Sequence, residues 1–200
     1  MLAKQTEIKR IGDWIETYSG ITFYPLDPRP DDIFINDIAH SLSLLCRFNG
    51  HCRAFYSVGI HSILCAMEAA TRELPVRTQL KALLHDSSEA YLADIPKPIK
   101  PYLTGYEKIE DHLQAMIYQQ YGLDPSDKEE YKIIKDIDFH ILRIEAELLM
   151  PSKGRMWAES MHLESIDISR DTYNLFQGLL DTKPSEIKKA FLKNFYKLII

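Results

Sequence analysis

This sequence predicts an all-α bundle carrying an extended N-terminal arm, and three observations support that. From Asp37 onward, apolar residues recur at helical spacing in segment after segment, which leaves no essential sheet to expect. Pro75, the pair Pro96 and Pro98, and Pro151 punctuate those segments where a helix must stop. The chain is 200 residues long, 46% hydrophobic and 26% charged, enough for one ordinary globular core.

The elements follow in order. Residues 17–36, TYSGITFYPLDPRPDDIFIN, mix Pro, Asp, Gly and aromatics and read as an arm with room for a short strand pair. NDIAHSLSLLCRF places Ile38, Leu42, Leu45 and Cys46 on one helical stripe. YSVGIHSILCAMEAATREL is a second helix with Ile60, Leu64 and Met67 on its stripe. VRTQLKALLHDSSEAYLADI is a third, expected to run unbroken to Pro96. GYEKIEDHLQAMIYQQYG is a fourth, and DPSDKEEYKIIKDIDFHILRIEAELLM a fifth that opens on cap-like Asp and Ser. After a loop, PSKGRMWAES, a last helix begins near Ser185. Its lysines lie opposite Ile187, Phe191, Phe195 and Leu198, a pattern for packing on the core or a partner subunit rather than on lipid. Residues 1–200 form one domain, with a core at about 37–150 and C-terminal helices over 151–200.

Charge and cysteine usage narrow the function classes. A net charge of -5 argues against nucleic-acid polymers, whose binding needs Lys and Arg on phosphates, but leaves a small anionic substrate open. Cys46, Cys52 and Cys65 form no CxxC pair and read as reduced thiols. MLAKQTEIKRIGDWIE has no apolar leader core and no run reaches a membrane span, so a cytoplasmic protein is expected.

Polar residues at inward positions carry the chemistry. His61 lies in the stripe of the second helix. His85, Ser88, Glu89 and Leu92 share a face of the third, with Asp86 beside them. On the fifth, Ile134, Ile137, Ile141, Leu148 and Leu149 form a stripe that Asp138, Leu142 and Glu145 complete, while Asp136 and His140 point away. Burying such groups is costly unless something pairs or binds them. Two imidazoles and two carboxylates suit manganese, iron, cobalt, magnesium or nickel better than a closed structural zinc. Such an ion lowers the pKa of its water and polarises a phosphoryl oxygen. Taken singly, each residue has a plainer reading: a core histidine satisfied by a hydrogen bond, or an aspartate paired with Arg or Lys.

These residues resemble a known signature. His61, the doublet His85-Asp86 and the distant Asp138 are similar to the H…HD…D pattern of the HD-domain phosphohydrolases. HDSSEAYLADIPKPIK, DFHILRIEAELLM and DIAHSLSLLCRFNGHCRAFYSVGIHS further resemble the bacterial and phage branch of 5'-deoxynucleotidases and dNTP phosphohydrolases, over about residues 11–150. The resemblance implies a single HD-domain bundle. It implies one divalent metal on His61, His85, Asp86 and Asp138, with Asp86 and Glu89 as the catalytic carboxylates. Glu89 would orient or deprotonate water or protonate the leaving group. Arg47 would contact phosphate, Asp94 the sugar hydroxyl, and Lys97 with Lys100 the outer phosphates. Phe48 stands where relatives carry Trp. The relatives and the amphipathic helices suggest a homodimer.

The residues also admit structural roles. Arg47 can pair with Asp37 or Glu68, Asp94 can cap the turn before Pro96, and Glu145 reads best as the buried partner of an arginine. His40 and His51 flank Arg47 and can line the same pocket, whereas His112, His140 and His162 read as surface or core residues. The expected activity is removal of phosphate from a mono-, di- or triphosphate of a deoxynucleotide, nucleotide or nucleoside analogue. A nucleotide sensor that has lost turnover and an alarmone nucleotide hydrolase are the alternatives. The GYP signature of the cyclic-dinucleotide branch is missing, since Gly105 opens GYE.

Overall fold

A computed structural model describes residues 9–156, 170–180 and 182–199. The fold is all-α, as expected, with one two-residue strand pair in the arm. Strand β1 (Ile15–Glu16) pairs antiparallel with β2 (Thr22–Phe23), Ile15 opposite Phe23. The helices are α1 (Ile35–Leu44), α2 (Val58–Thr71), α3 (Val76–Leu84), α4 (Glu89–Leu92), α5 (Tyr106–Gln120), α6 (Lys128–Leu149), α7 (Arg170–Leu180) and α8 (Pro184–Leu198).

Helix α2 is the axis of the bundle. Val58 through Ala66 and Ala69 are all buried, and α1, α3, α6 and α8 pack on it. Met67, assigned to its apolar stripe, is 37% exposed, because a helix covered nearly all round has its solvent face where few neighbours lie. Gly59 allows the closest approach: a Cβ there would meet the Leu42 carbonyl oxygen at 3.1 Å and Ile187 Cγ2 at 3.2 Å. The Ser57 side chain caps α2 by accepting from the Ile60 amide, and Asp127 caps α6 by accepting from the Glu129 and Glu130 amides. Phe23 of the arm joins the same core as Phe191 and Leu198 of α8. The arm is pinned by Asp37, which accepts from Thr17 Oγ1 and the Ser19 amide, each at 2.8 Å.

Three expectations are corrected or completed. The third helix is not continuous: it stops at Leu84, turns through residues 85–88 and resumes as α4. Helix α7 lies within the expected C-terminal helices but was given no bounds of its own; it is anchored by the buried Phe176, stacked on Tyr56 with ring centroids 5.3 Å apart. The final helix buries Ile187, Phe191, Phe195 and Leu198 and sets Lys188 Nζ 4.0 Å above the Tyr18 ring, so it packs on the core. The loop read at 151–160 lies partly outside the described residues, and His162 wholly so. Among the described residues, no helix is long and apolar enough to cross a membrane.

Candidate metal centre

The break in the third helix has a physical cause. Helix geometry would join the Ser88 amide to the Leu84 carbonyl. Instead the Gln114 side chain of α5 sits between them, its Oε1 accepting from Ser88 N at 3.0 Å and its Nε2 donating to Leu84 O at 2.7 Å. The ladder opens there, and the turn tightens to three-residue bonds: Ser87 N to Leu84 O, Glu89 N to Asp86 O and Ala90 N to Ser87 O. His85 and Asp86 occupy this overwound turn. Gln114→Leu removes both bonds and is expected to cost about 1–3 kcal/mol for the groups left unpaired. It should also weaken metal binding about 10-fold as the turn relaxes toward a regular helix, measured by denaturation and metal titration.

The turn aims His85 and Asp86 at His61 of α2 and Asp138 of α6. The two imidazole Nε2 atoms are 3.2 Å apart. Asp86 Oδ2 lies 3.2 Å from His85 Nε2 and 3.5 Å from His61 Nε2. Asp138 Oδ1 lies 3.3 Å from His61 Nε2 and 3.8 Å from His85 Nε2. With metal–donor distances near 2.1 Å, neighbouring donors on one ion stand about 3.0–3.5 Å apart, so four atoms converge on the scale of one coordination shell.

Hydrogen bonds behind the rings fix which nitrogen faces inward. His85 Nδ1 lies 2.8 Å from the Ala82 carbonyl, which can only accept, so Nδ1 carries the proton. His61 Nδ1 lies 2.6 Å from Glu145 Oε1. Burial opposes the charge on Glu145, but Arg47 and His61 outweigh it and hold the carboxyl below its ordinary range, so this oxygen also accepts. In their neutral forms, both rings therefore turn Nε2 lone pairs toward each other and toward two carboxylates. That arrangement calls for a cation.

The electrostatics agree. Burial opposes protonation of His85, but Asp86, Cys65 and Asp138 raise its pKa well above the usual value. Burial and Arg47 oppose it at His61, where Cys65, Glu145 and Asp138 prevail in the same direction. Burial works against ionised Asp86 and Asp138, yet the two histidines hold both far below the carboxylate range. The carboxylates around the rings thus favour positive charge on the two imidazoles. His61, Cys65 and His85 offer ligand atoms all within 4.8 Å of one another, a group that could hold a metal ion. Cys65 Sγ itself is 3.5 Å from His61 Nε2.

Glu145 gathers the support around this cluster. It is fully buried and receives His61 Nδ1, the Tyr56 hydroxyl at 2.8 Å and Arg47 Nη2 at 3.1 Å. Glu145 is therefore the buried partner of an arginine, and it also orients a histidine. The bridge between Cys46 and Ser57, with Arg47 N bonded to Tyr56 O, closes the loop that carries Arg47 inward. Arg47 pairs with Glu145 and, at 3.5 Å, with Asp86. Asp37 and Glu68 go elsewhere, to the arm and to Arg72. Phe48 adopts a left-handed backbone, φ 56°, and lies beneath the guanidinium with its ring centroid 5.3 Å from Arg47 Cζ.

The remaining predicted residues divide. Glu89 is buried, its Oε2 meets no hydrogen-bond partner among the described residues, and burial with Asp86 and Asp94 pushes its pKa well up. Asp94 is raised by burial and Asp86 against the pull of Arg47 and Lys100, so its field meets the cluster. Lys97 is exposed, whereas Lys100, paired with Glu110 at 2.8 Å, is the lysine whose charge reaches Glu89 and Asp86. Asp136 and His140 do point away, to Arg72 and Glu68. His51 and His112 are exposed. His40 stacks on Tyr18 at 3.7 Å and lines a separate cleft of about 500 Å³ between the arm, α1 and α4, which shares no residue with the four-donor cluster.

Asp94 follows a residue with a strained backbone. Ala93 has φ 70° and ψ 159°, a region that normally needs glycine. Ala93→Gly is expected to raise stability by about 1 kcal/mol by relieving this, read from the denaturation midpoint. Sequence reasoning missed Tyr56, Cys65 and Gln114. Only Cys65 had a signal, its position one helical turn after His61.

The chain matches no protein-family model. It is 46% identical over 112 residues to the uncharacterized protein YfdR of Escherichia coli, covering 56% of this chain and 60% of that one. It is 38% identical over 115 residues to an uncharacterized protein of Rhodobacter capsulatus, covering 55% and 59%. The chain thus spans about three fifths of the length of the curated relatives it matches.

Proposed function

We propose that this chain is a divalent-metal-dependent phosphohydrolase of the HD-domain type, acting on a nucleotide or nucleoside-analogue phosphate. The observation that carries the reading is the convergence of His61 Nε2, His85 Nε2, Asp86 Oδ2 and Asp138 Oδ1, with both imidazoles committed through Nδ1. Those four residues would hold the ion. When bound, it supplies an activated water and polarises the phosphoryl oxygen.

The surrounding residues fit the remaining roles. Arg47 carries a fixed guanidinium beside Asp86, and its Nε has no hydrogen-bond partner among the described residues, which suits a phosphate oxygen. Its stack on Phe48 stiffens the fork against rotation. Glu89, whose pKa burial and Asp86 raise, can donate a proton to the leaving oxygen. Asp94, part-exposed and within the electrostatic reach of Asp86 and Arg47, can accept from a sugar hydroxyl. Lys100 balances this acidic rim, so it takes the outer-phosphate role in preference to Lys97.

The test is phosphate release from deoxynucleoside and ribonucleoside mono-, di- and triphosphates with manganese or magnesium. His85→Ala/Asp86→Ala is measured alongside. Metal-dependent release that the double variant lacks is expected. A folded, metal-loaded protein that hydrolyses none of these would contradict the enzyme and leave a nucleotide-binding protein.

A further inference from the structure

Neither the two carboxylates nor the resemblance to HD-domain enzymes accounts for Cys65. Its side chain is 1% exposed, and it follows His61 by one turn on α2, so both project from the same face. Zinc binds thiolate at about 2.3 Å and imidazole at about 2.05 Å. A tetrahedral ion therefore sets sulfur and nitrogen about 3.6 Å apart, and two nitrogens about 3.3 Å apart. The observed separations are 3.5 Å from Cys65 Sγ to His61 Nε2 and 3.2 Å between the two Nε2 atoms. Octahedral placement of the same sulfur and nitrogen would bring them to about 3.1 Å, shorter than observed.

We propose that Cys65 is a ligand for thiophilic divalent ions, giving this centre two binding modes; the inference rests on the metal reading above. Hard ions such as manganese or magnesium use the imidazoles and carboxylates and leave the thiol protonated. An ion such as zinc takes His61, Cys65 and His85 with one carboxylate, and the thiol proton is released to solvent as the metal–sulfur bond forms. Four protein donors close a tetrahedral shell, whereas catalytic sites keep one position open. Zinc therefore restrains the hydrolysis that hard ions support, and the thiol acts as the selector.

The experiment titrates cobalt into the metal-stripped full chain, with bound metal counted by equilibrium dialysis. Near-ultraviolet absorption reports thiolate-to-cobalt charge transfer. Wild type is expected to develop that band, and Cys65→Ser and Cys65→Ala to bind cobalt without it. The preference for zinc over manganese should fall by about 10-fold or more in both variants, at least the scale on which supporting residues act. The two substitutions guard against one failing to fold, and the wild-type band stands without either. Cobalt bound by wild type with no band overturns the inference and leaves the metal centre standing. No cobalt bound at all overturns both.

Discussion

Glu145→Gln is expected to lose about 3–5 kcal/mol of stability, the cost of stranding a buried charge. The Arg47 side chain is only 10% exposed, and its other carboxylate, Asp86, lies at 3.5 Å against 3.1 Å for Glu145. A neutral amide leaves that guanidinium under-compensated in a dry pocket. Glutamine also brings an NH₂ group where His61 Nδ1 and the Tyr56 hydroxyl both need an acceptor. Should the amide donate to Nδ1, His61 carries its proton on Nε2 and is lost as a ligand. Metal affinity should therefore fall by about 10- to 100-fold, as for other residues that orient metal-binding histidines. Chemical denaturation and metal titration of the same variant read the two effects separately. An unchanged midpoint with unchanged affinity would mean that Glu145 is only a space-filling residue.

Metal itself should stabilise the chain strongly. Four donors from three segments, α2, the turn after α3, and α6, meet at one point. Without a cation, two lone pairs and two carboxylates crowd together and can be relieved only by protons. An ion bound at about 1,000 times its Kd adds about 4 kcal/mol, and each kcal/mol moves Tm by about 2–4 °C at this size. A rise of about 8–16 °C on adding manganese or cobalt, reversed by chelator, is the expected result. His85→Ala/Asp86→Ala should show no such rise, and an equal rise in that variant would place the ion elsewhere.

What the sequence revealed of this site follows from how local each cause is. Helical periodicity was enough to turn His61, Asp138 and Glu145 inward, because α2 and α6 are regular through those positions. It also set the donor types, two imidazoles and two carboxylates. It could not reveal the break at Leu84, because the cause is the Gln114 side chain of another helix, inserted into the backbone ladder. Read as one helix, HDSSE puts His85 and Glu89 on a single face; in the overwound turn, Asp86 swings in beside His85. Cys65 was visible at helical spacing from His61, but a buried thiol reads first as a small apolar residue. Helix α7 depends on Phe176 meeting Tyr56 across the fold, a contact that no local pattern announces.

Counting metal per chain tests the centre most directly. Metal-stripped protein dialysed against manganese should retain one ion per chain, and His61→Ala and Asp138→Ala should each lose it while remaining folded. Retention of one ion by both variants, or of none by wild type, would contradict a metal held by His61, His85, Asp86 and Asp138.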